Sequence, residues 1–413
     1  MKDDAAISIR PLLSTLALLG VYSALFFLLD RYDWGQAFVR FACLACLVLI
    51  CLVTCRPAVA RAPLGERAAR IELVLAVGLV IFLAGRVLLR AWDEMGRPPR
   101  VDIGVTTRDA ARMLFLDGRN PYRSETIAVL GDDPRYWGYK YGPAMIFGYA
   151  ICAVASESGV MLANLVYLAG SLVAVFVLAR DENHSRRGHA TAWYCCALIL
   201  LPDRVWYELF HQGVIDIFPI ALILVSLVFV ARRGWFLAGL LAGLSFSAKF
   251  SPGMFYLALF LKRERIPRFF AGLACGLLPV AAFLAWDAGA LLRNSLVFHL
   301  IKGYDSTSLY SITPRELHAI FPLVQIATMG CVLVGNYTRG IEPRSLVYRL
   351  LILVVVIEAT YKEVHENHLI WIIPLAALRL GVSRHGFLPG LLSWARSLGE
   401  CPASIVQDER GER

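Results

Sequence analysis

Apolar runs approaching the roughly 20 residues that an α-helix needs to cross a bilayer recur from one end of the chain to the other. They fall at residues 11–29, 37–55, 71–90, 159–179, 189–203, 216–231, 234–249, 250–261, 269–286, 319–336, 348–360 and 369–382. With 58% of the 413 residues hydrophobic, no stretch between the runs has room for a soluble domain. The sequence therefore predicts one all-α, polytopic membrane bundle of about 12 spans. Its divisions are N-terminal spans over 1–92, an exterior loop over 93–142, a transmembrane core over 143–382 and a cytoplasmic tail over 383–413. The first run ends in Asp30-Arg31-Tyr32-Asp33 without a small-residue cleavage site, so it reads as a retained span and not a signal peptide.

Charge sets the expected orientation. The net charge of +9 is spread over short clusters between spans, which excludes a nucleic-acid surface and follows the positive-inside pattern. Arg56/Arg61/Arg67/Arg70, Arg180/Arg186/Arg187, Arg232/Arg233, Lys262/Arg263/Arg265/Arg268 and Arg339/Arg344/Arg349 all fall cytoplasmic if Val101 to Tyr141 faces outward. That assignment requires that residues 142–155 not cross. The segment is short, opens with Gly142-Pro143 and ends at Ser156-Glu157-Ser158, so a re-entrant helix lining a cavity is expected. The chain then sits as a multi-pass protein of the plasma membrane, its polar loops on the extracytoplasmic face. Nine of the ten cysteines lie within apolar runs, where thiols act as small packing residues, and no disulfide framework is visible. Gly239-x-x-x-Gly243 and Gly272-x-x-x-Gly276 have the spacing that lets membrane helices approach closely.

The chain's one long polar segment runs from Val101 to Tyr141. Within it Thr106-x-x-Asp109 has the form of a capping box with Asp for Glu, and Gly118 is a natural stop, which predicts a helix from about Thr107 to Asp117. Ala110, Ala111, Met113, Leu114 and Phe115 set against Arg108, Arg112 and Asp117 suggest that it lies along the membrane surface, with Asp102 just before it at headgroup level. A carboxylate there can meet a lipid-bound substrate as a general base; equally, it can cap the helix or pair with Arg100 or Arg108. For Asp109 the capping role is the expectation.

Three other polar groups interrupt apolar sequence. Lys249, in SFSAKFSPGMF, needs a partner at that depth; a lipid phosphate would supply one, and a lysine snorkelling from a helix end is the alternative. The run Lys362-Glu363-Val364-His365-Glu366-Asn367-His368 places its histidines three apart, which does not fit the zinc-binding H-E-x-x-H helix, so no metal is expected. His365 could donate to a phosphate oxygen, or the run could be a solvated loop. Glu208, His211, Gln212 and Asp216 could hydrogen-bond sugar hydroxyls or serve as helix caps.

Taken in order, these motifs resemble a family. Asp102, A-A-R-x-L-x-x-x-G over Ala110 to Gly118, Asn120-Pro121-Tyr122 and Tyr139-Lys140-Tyr141-Gly142-Pro143 are similar to the first loop of the bacterial polyprenyl-phosphate-mannose-dependent transferases, glycosyltransferase family 87 of the GT-C superfamily. His211-Gln212-Gly213, Ala248-Lys249-x-x-Pro252 and His365-Glu366-Asn367-His368 resemble its later G-Q-x-N, Lys-Pro and His-bearing regions. Gly142 stands where that family commonly has the first proline of Y-P-P. The resemblance implies a GT-C bundle that moves a sugar, mannose in that family's manner, from a polyprenyl phosphate to a hydroxyl of a lipid or glycan acceptor, with inversion. It makes Asp102 the base, Lys249, His365 and His368 ligands of the donor phosphate, and Tyr122, Tyr141, His211, Gln212 and Glu366 contacts to sugar or acceptor. No cofactor is implied. A secondary transporter or lipid-sugar flippase is the competing class, although no inverted repeat is seen; a protein O-mannosyltransferase would carry a paired Asp-Glu where this chain has Asp102-Ile103.

Overall fold

The computed structural model describes residues 66–123, 138–180, 186–202, 206–250, 266–301, 310, 313–339, 343–361 and 369–382. Among them every regular element is a helix. The first, α1 (Glu66–Glu94), shows why a membrane is required. Ala76, Val80, Leu83, Val87 and Ala91 recur at helical spacing and are buried, while Val74, Ile81, Phe82, Leu89 and Trp92 on the other face are each about two-thirds exposed or more. A helix apolar all round with one face bare is stable only in lipid.

The remaining helices are α2 (Asp102–Phe115), α3 (Pro143–Ala155), α4 (Gly159–Ala179), α5 (Arg186–Leu200), α6 (Ile217–Ala231), α7 (Trp235–Ala248), α8 (Ile266–Gly276), α9 (Leu278–Leu292), α10 (Ile320–Arg339), α11 (Pro343–Thr360) and α12 (Leu369–Val382). Four segments are long and apolar enough to cross a membrane: Leu73–Glu94, Gly159–Ala179, Leu278–Leu300 and Arg315–Val334. Helices α3, α5, α6 and α7 are apolar but shorter. The expected spans 11–29 and 37–55, and nearly all of 250–261, lie outside the described residues. In the core α4 packs on α5 and α6, α1 and α12 on α5, and α7 on α6 and α8.

Both small-residue motifs meet each other. A Cβ on Gly239 would lie 2.0 Å from the Phe269 carbonyl oxygen, and one on Gly272 would lie 1.9 Å from that of Phe236. The two helices touch backbone to backbone, so α7 and α8 run parallel at a distance only glycine allows. We expect Gly272→Ala to force the helices apart at a cost of about 1–3 kcal/mol, read as a lower unfolding temperature in detergent, with Gly78→Ala, which meets open space, as the silent control.

Residues 143–155 form one apolar helix, shorter than the four long segments. The N–H of Gly142 donates to Ala248 O at the end of α7 (3.0 Å). Beyond the other end of α3, Asn164 in α4 donates to Leu209 O and Val214 O (both 2.8 Å), beside the start of α6. The start of α3 thus lies beside Lys249, and the first turns of α4, which follows it, pack against the segment that leads to Asp216. Sequence and structure part company in three places. Helix α2 begins at Asp102, not at Thr107, and its N-cap Val101 makes no side-chain cap. The Thr106-x-x-Asp109 box is unused: Thr106 Oγ1 donates back to Ile103 O (3.4 Å) and Asp109 pairs with Arg108 (2.9 Å). The chain beyond the span expected to end at residue 286 stays helical through Ile301, with a π-helical stretch at Arg293–Val297. Asp287 leaves helical geometry (φ −161°, ψ 89°), but its Oδ1 accepts from Ala290 N (3.0 Å), so the chain kinks and is capped afresh instead of ending.

Candidate functional site

A π-helical turn, Tyr207–Gln212, organises the polar end of the bundle. Such turns leave backbone groups free of the regular ladder and recur at functional sites. Buried Asn164 pins it from α4: its Nδ2 holds two carbonyls, and its Oδ1 accepts from Tyr149 OH (2.6 Å). A lone Asn in the apolar run of α4 is the signal that sequence reading passed over. Gln212 O in turn accepts from the N–H groups of both Arg100 (3.0 Å) and Val101 (3.1 Å), the two residues before Asp102. The start of α2 is thereby tied to the His211-Gln212-Gly213 segment. The Asp102 side chain itself lies outside the described part of the structure.

His211 serves the same tie. Arg100 Nη1 approaches its Nε2 (2.6 Å), and since a guanidinium only donates, Nε2 is the acceptor and Nδ1–H donates to Glu94 Oε1 (2.7 Å). Both ring nitrogens are taken up inside the protein, with Tyr207 stacked on the ring at 4.6 Å. The Gln212 side chain donates to Tyr207 OH (2.6 Å) from an exposed position.

Four residues past Gln212, Asp216 is wholly buried and pairs with Lys249 at the end of α7, while Trp371 Nε1 donates to the same carboxylate oxygen (3.0 Å). Lys249 has therefore found an internal counter-charge. Trp371 belongs to α12, and it brings that helix to the same end of the bundle. His365, Glu366 and His368 lie outside the described residues.

The first-loop motifs close into an aromatic clasp. Tyr139 N–H donates to Pro121 O (3.1 Å), Tyr139 and Thr107 hydroxyls meet at 3.0 Å, and Tyr122 OH donates to Tyr141 O (2.6 Å). The Tyr122 ring meets Tyr139 edge-on at 5.7 Å and Phe283 at 5.2 Å, and Tyr141 meets Tyr139 at 5.7 Å. Burial pushes the Tyr122 and Tyr139 hydroxyls well above the usual phenol range, so both stay protonated donors. Gly142 is explained here. Its N–H is used by Ala248 O, and a Cβ would lie 2.0 Å from Ser247 O; a proline would lose that bond and collide. Tyr122 and Tyr141 thus share one clasp, which abuts α7 immediately before Lys249.

On the outer side of the clasp, Arg108 and Arg112 both bind Glu157 (2.6 and 2.5 Å), which holds its carboxyl below the usual range and fastens α2 across the α3–α4 turn. Phe115 and Leu116 are left exposed at the far end of the helix. A residue missed by the sequence reading is Lys140. It is buried between Asn294 Oδ1 (2.9 Å) and the Phe298 ring (4.4 Å to the centroid).

No curated protein matches this chain. Its fold resembles that of ArnT from Cupriavidus metallidurans solved with bound undecaprenyl phosphate, at TM-score 0.50 and 14% identity over 78% of this chain and 64% of that one. The apo form of ArnT gives TM-score 0.48 and 17% identity over 79% and 64%. The chain therefore spans about two-thirds of ArnT's length, and the likeness is one of fold. The sequence comparison reaches further: residues 139–361, more than half of the chain and holding the Tyr139–Pro143 motif, the π-helical turn, Asp216 and Lys249, match glycosyltransferase family 87, and the chain belongs to that family.

Proposed function

We propose that the protein transfers a sugar, mannose, from a polyprenyl phosphate carrier to a hydroxyl of a lipid or glycan acceptor on the extracytoplasmic face, inverting the anomeric centre. Asp102 takes the acceptor proton as the acceptor oxygen bonds to the anomeric carbon. The bond from that carbon to the phosphate oxygen breaks, and polyprenyl phosphate leaves. Lys249, His365 and His368 are the proposed ligands of the departing phosphate, and Tyr122, Tyr141, Gln212 and Glu366 the contacts to sugar or acceptor. His211, with both nitrogens engaged, acts in this scheme by holding Arg100 beside Asp102.

One observation carries the reading. The short stretch Gln212–Asp216 holds the backbone before Asp102 at one end and Lys249 at the other, at the polar end of an otherwise apolar bundle. Base and phosphate ligand are needed on opposite sides of a reacting anomeric carbon, and an element tied to both segments supports assigning those roles to Asp102 and Lys249. The test is transfer from polyprenyl-phosphate-[³H]mannose by purified protein in nanodiscs, with the product's anomeric configuration read by NMR. Transfer with inversion is expected. Transfer from a nucleotide sugar alone, or with retention, would overturn the reading.

A further inference from the structure

Two lysines lie near this site, and their surroundings differ in kind. Lys249 faces the Asp216 carboxylate. Lys140 is 4% exposed, yet its ammonium meets only the neutral carboxamide of Asn294 and the face of Phe298, and no carboxylate among the described residues pairs with it. A buried ammonium without a counter-charge is costly, and a carboxamide and a ring offset that cost only in part. Burial accordingly pulls the Lys140 amine down to about 8.

Asn294 is held so that it must present its oxygen. Its Nδ2 donates to Tyr122 O (2.9 Å) and Ala290 O (3.2 Å), which leaves Oδ1 for Lys140. Of the three ammonium hydrogens, Asn294 takes one. A second donor in the same clasp is also unmet: Asn120 is 7% exposed, its Oδ1 accepts from Tyr122 N–H (3.0 Å), and its Nδ2 has no partner among the described residues. Among the described residues the clasp thus holds a positive charge without a negative one, and Asn120, which accepts from Tyr122 N–H, keeps a buried donor without an acceptor. The deficit at Lys140 is one that an anion with several oxygens meets.

We propose that Lys140, oriented by Asn294, binds a lipid-linked phosphate, and so is a further ligand of the donor's phosphate in the reaction proposed above, on which this inference rests. A diester phosphate in the donor carries one negative charge, and the monoester that leaves carries up to two. The ammonium therefore holds the leaving group more tightly than the substrate, which is the sense required to lower the barrier.

The experiment titrates undecaprenyl phosphate into purified protein in nanodiscs, with inorganic phosphate and phosphatidylglycerol vesicles as separate arms. Wild type and Lys140→Arg should bind the polyprenyl phosphate, and Lys140→Met should bind it about ten- to a hundredfold more weakly at unchanged melting temperature. The wild type supplies a second measurement that needs no apolar variant. Raising the pH from 7.5 to 9.5 removes the Lys140 proton, so affinity should fall in wild type and hold in Lys140→Arg. The other titratable groups around Lys140, namely Tyr122, Tyr139, Tyr141, His299 and the Arg123–Asp287 pair, are the same in both proteins and cancel. If wild type fails to bind undecaprenyl phosphate, the lipid-phosphate donor itself is wrong. If wild type binds and Lys140→Met binds equally, with no pH effect, the donor stands and Lys140 is excluded. Equal affinity for inorganic phosphate, or for phosphatidylglycerol, would overturn the assignment to the donor lipid.

Discussion

Asp102→Asn should lower the transfer rate by about 10²–10⁴-fold, the loss typical when a positioned general base is removed. Asparagine keeps the size and polarity of the side chain, and the helix start is held by backbone bonds from Arg100 and Val101 to Gln212 O, so donor binding and melting temperature should scarcely move. The parallel variant Asp109→Asn should cost less than about twofold. Asp109 is 44% exposed, and its pair with Arg108 is an ion pair of the surface type, worth about 0–1 kcal/mol. Initial rates at saturating polyprenyl-phosphate-sugar separate the two. An Asp102→Asn protein of normal stability that turns over at the wild-type rate would remove the base from this mechanism.

Asp216→Leu should destabilise the protein by about 3–5 kcal/mol, because it strands the Lys249 ammonium and leaves Trp371 Nε1 without its carboxylate acceptor. Adding Lys249→Met removes the stranded charge, so the double variant should recover most of the lost melting temperature. The same pair of variants separates two roles for Lys249. If the lysine serves only the fold, the double variant regains donor use with its stability; if it also binds the donor's phosphate, stability returns and donor affinity does not. A single variant that melts within a degree of wild type would show that this buried pair is not what joins α6, α7 and α12.

The sequence by itself determined the class of fold, because spans near 20 apolar residues admit only helices when lipid is the solvent. It also fixed the pairing surface of α7 and α8, since glycine at a four-residue spacing is useful only where two backbones touch. The short 142–155 segment is a helix over Pro143–Ala155 that opens at its Gly-Pro and starts beside the end of α7. Local signals misled where tertiary contacts outweigh them. Thr106 and Asp109 have the form of a cap, yet α2 begins a turn earlier because Gln212, more than a hundred residues on, supplies the acceptor that fixes the chain at Arg100 and Val101. Asp287 and Gly289 read as a loop, and the helix continues because the Asp287 carboxylate caps its second half.

Which charges are neutralised follows from contacts made on folding. Lys249 and Lys140 each interrupt apolar or aromatic sequence, and in the sequence Lys249, at a span's end, is the more conspicuous. Folding brings Asp216, 33 positions away, against Lys249, and brings the neutral carboxamide of Asn294, 154 positions away, and the Phe298 ring against Lys140. The balance of buried charge is set by pairs that are distant in the chain and adjacent in space, and no local pattern of residues encodes it.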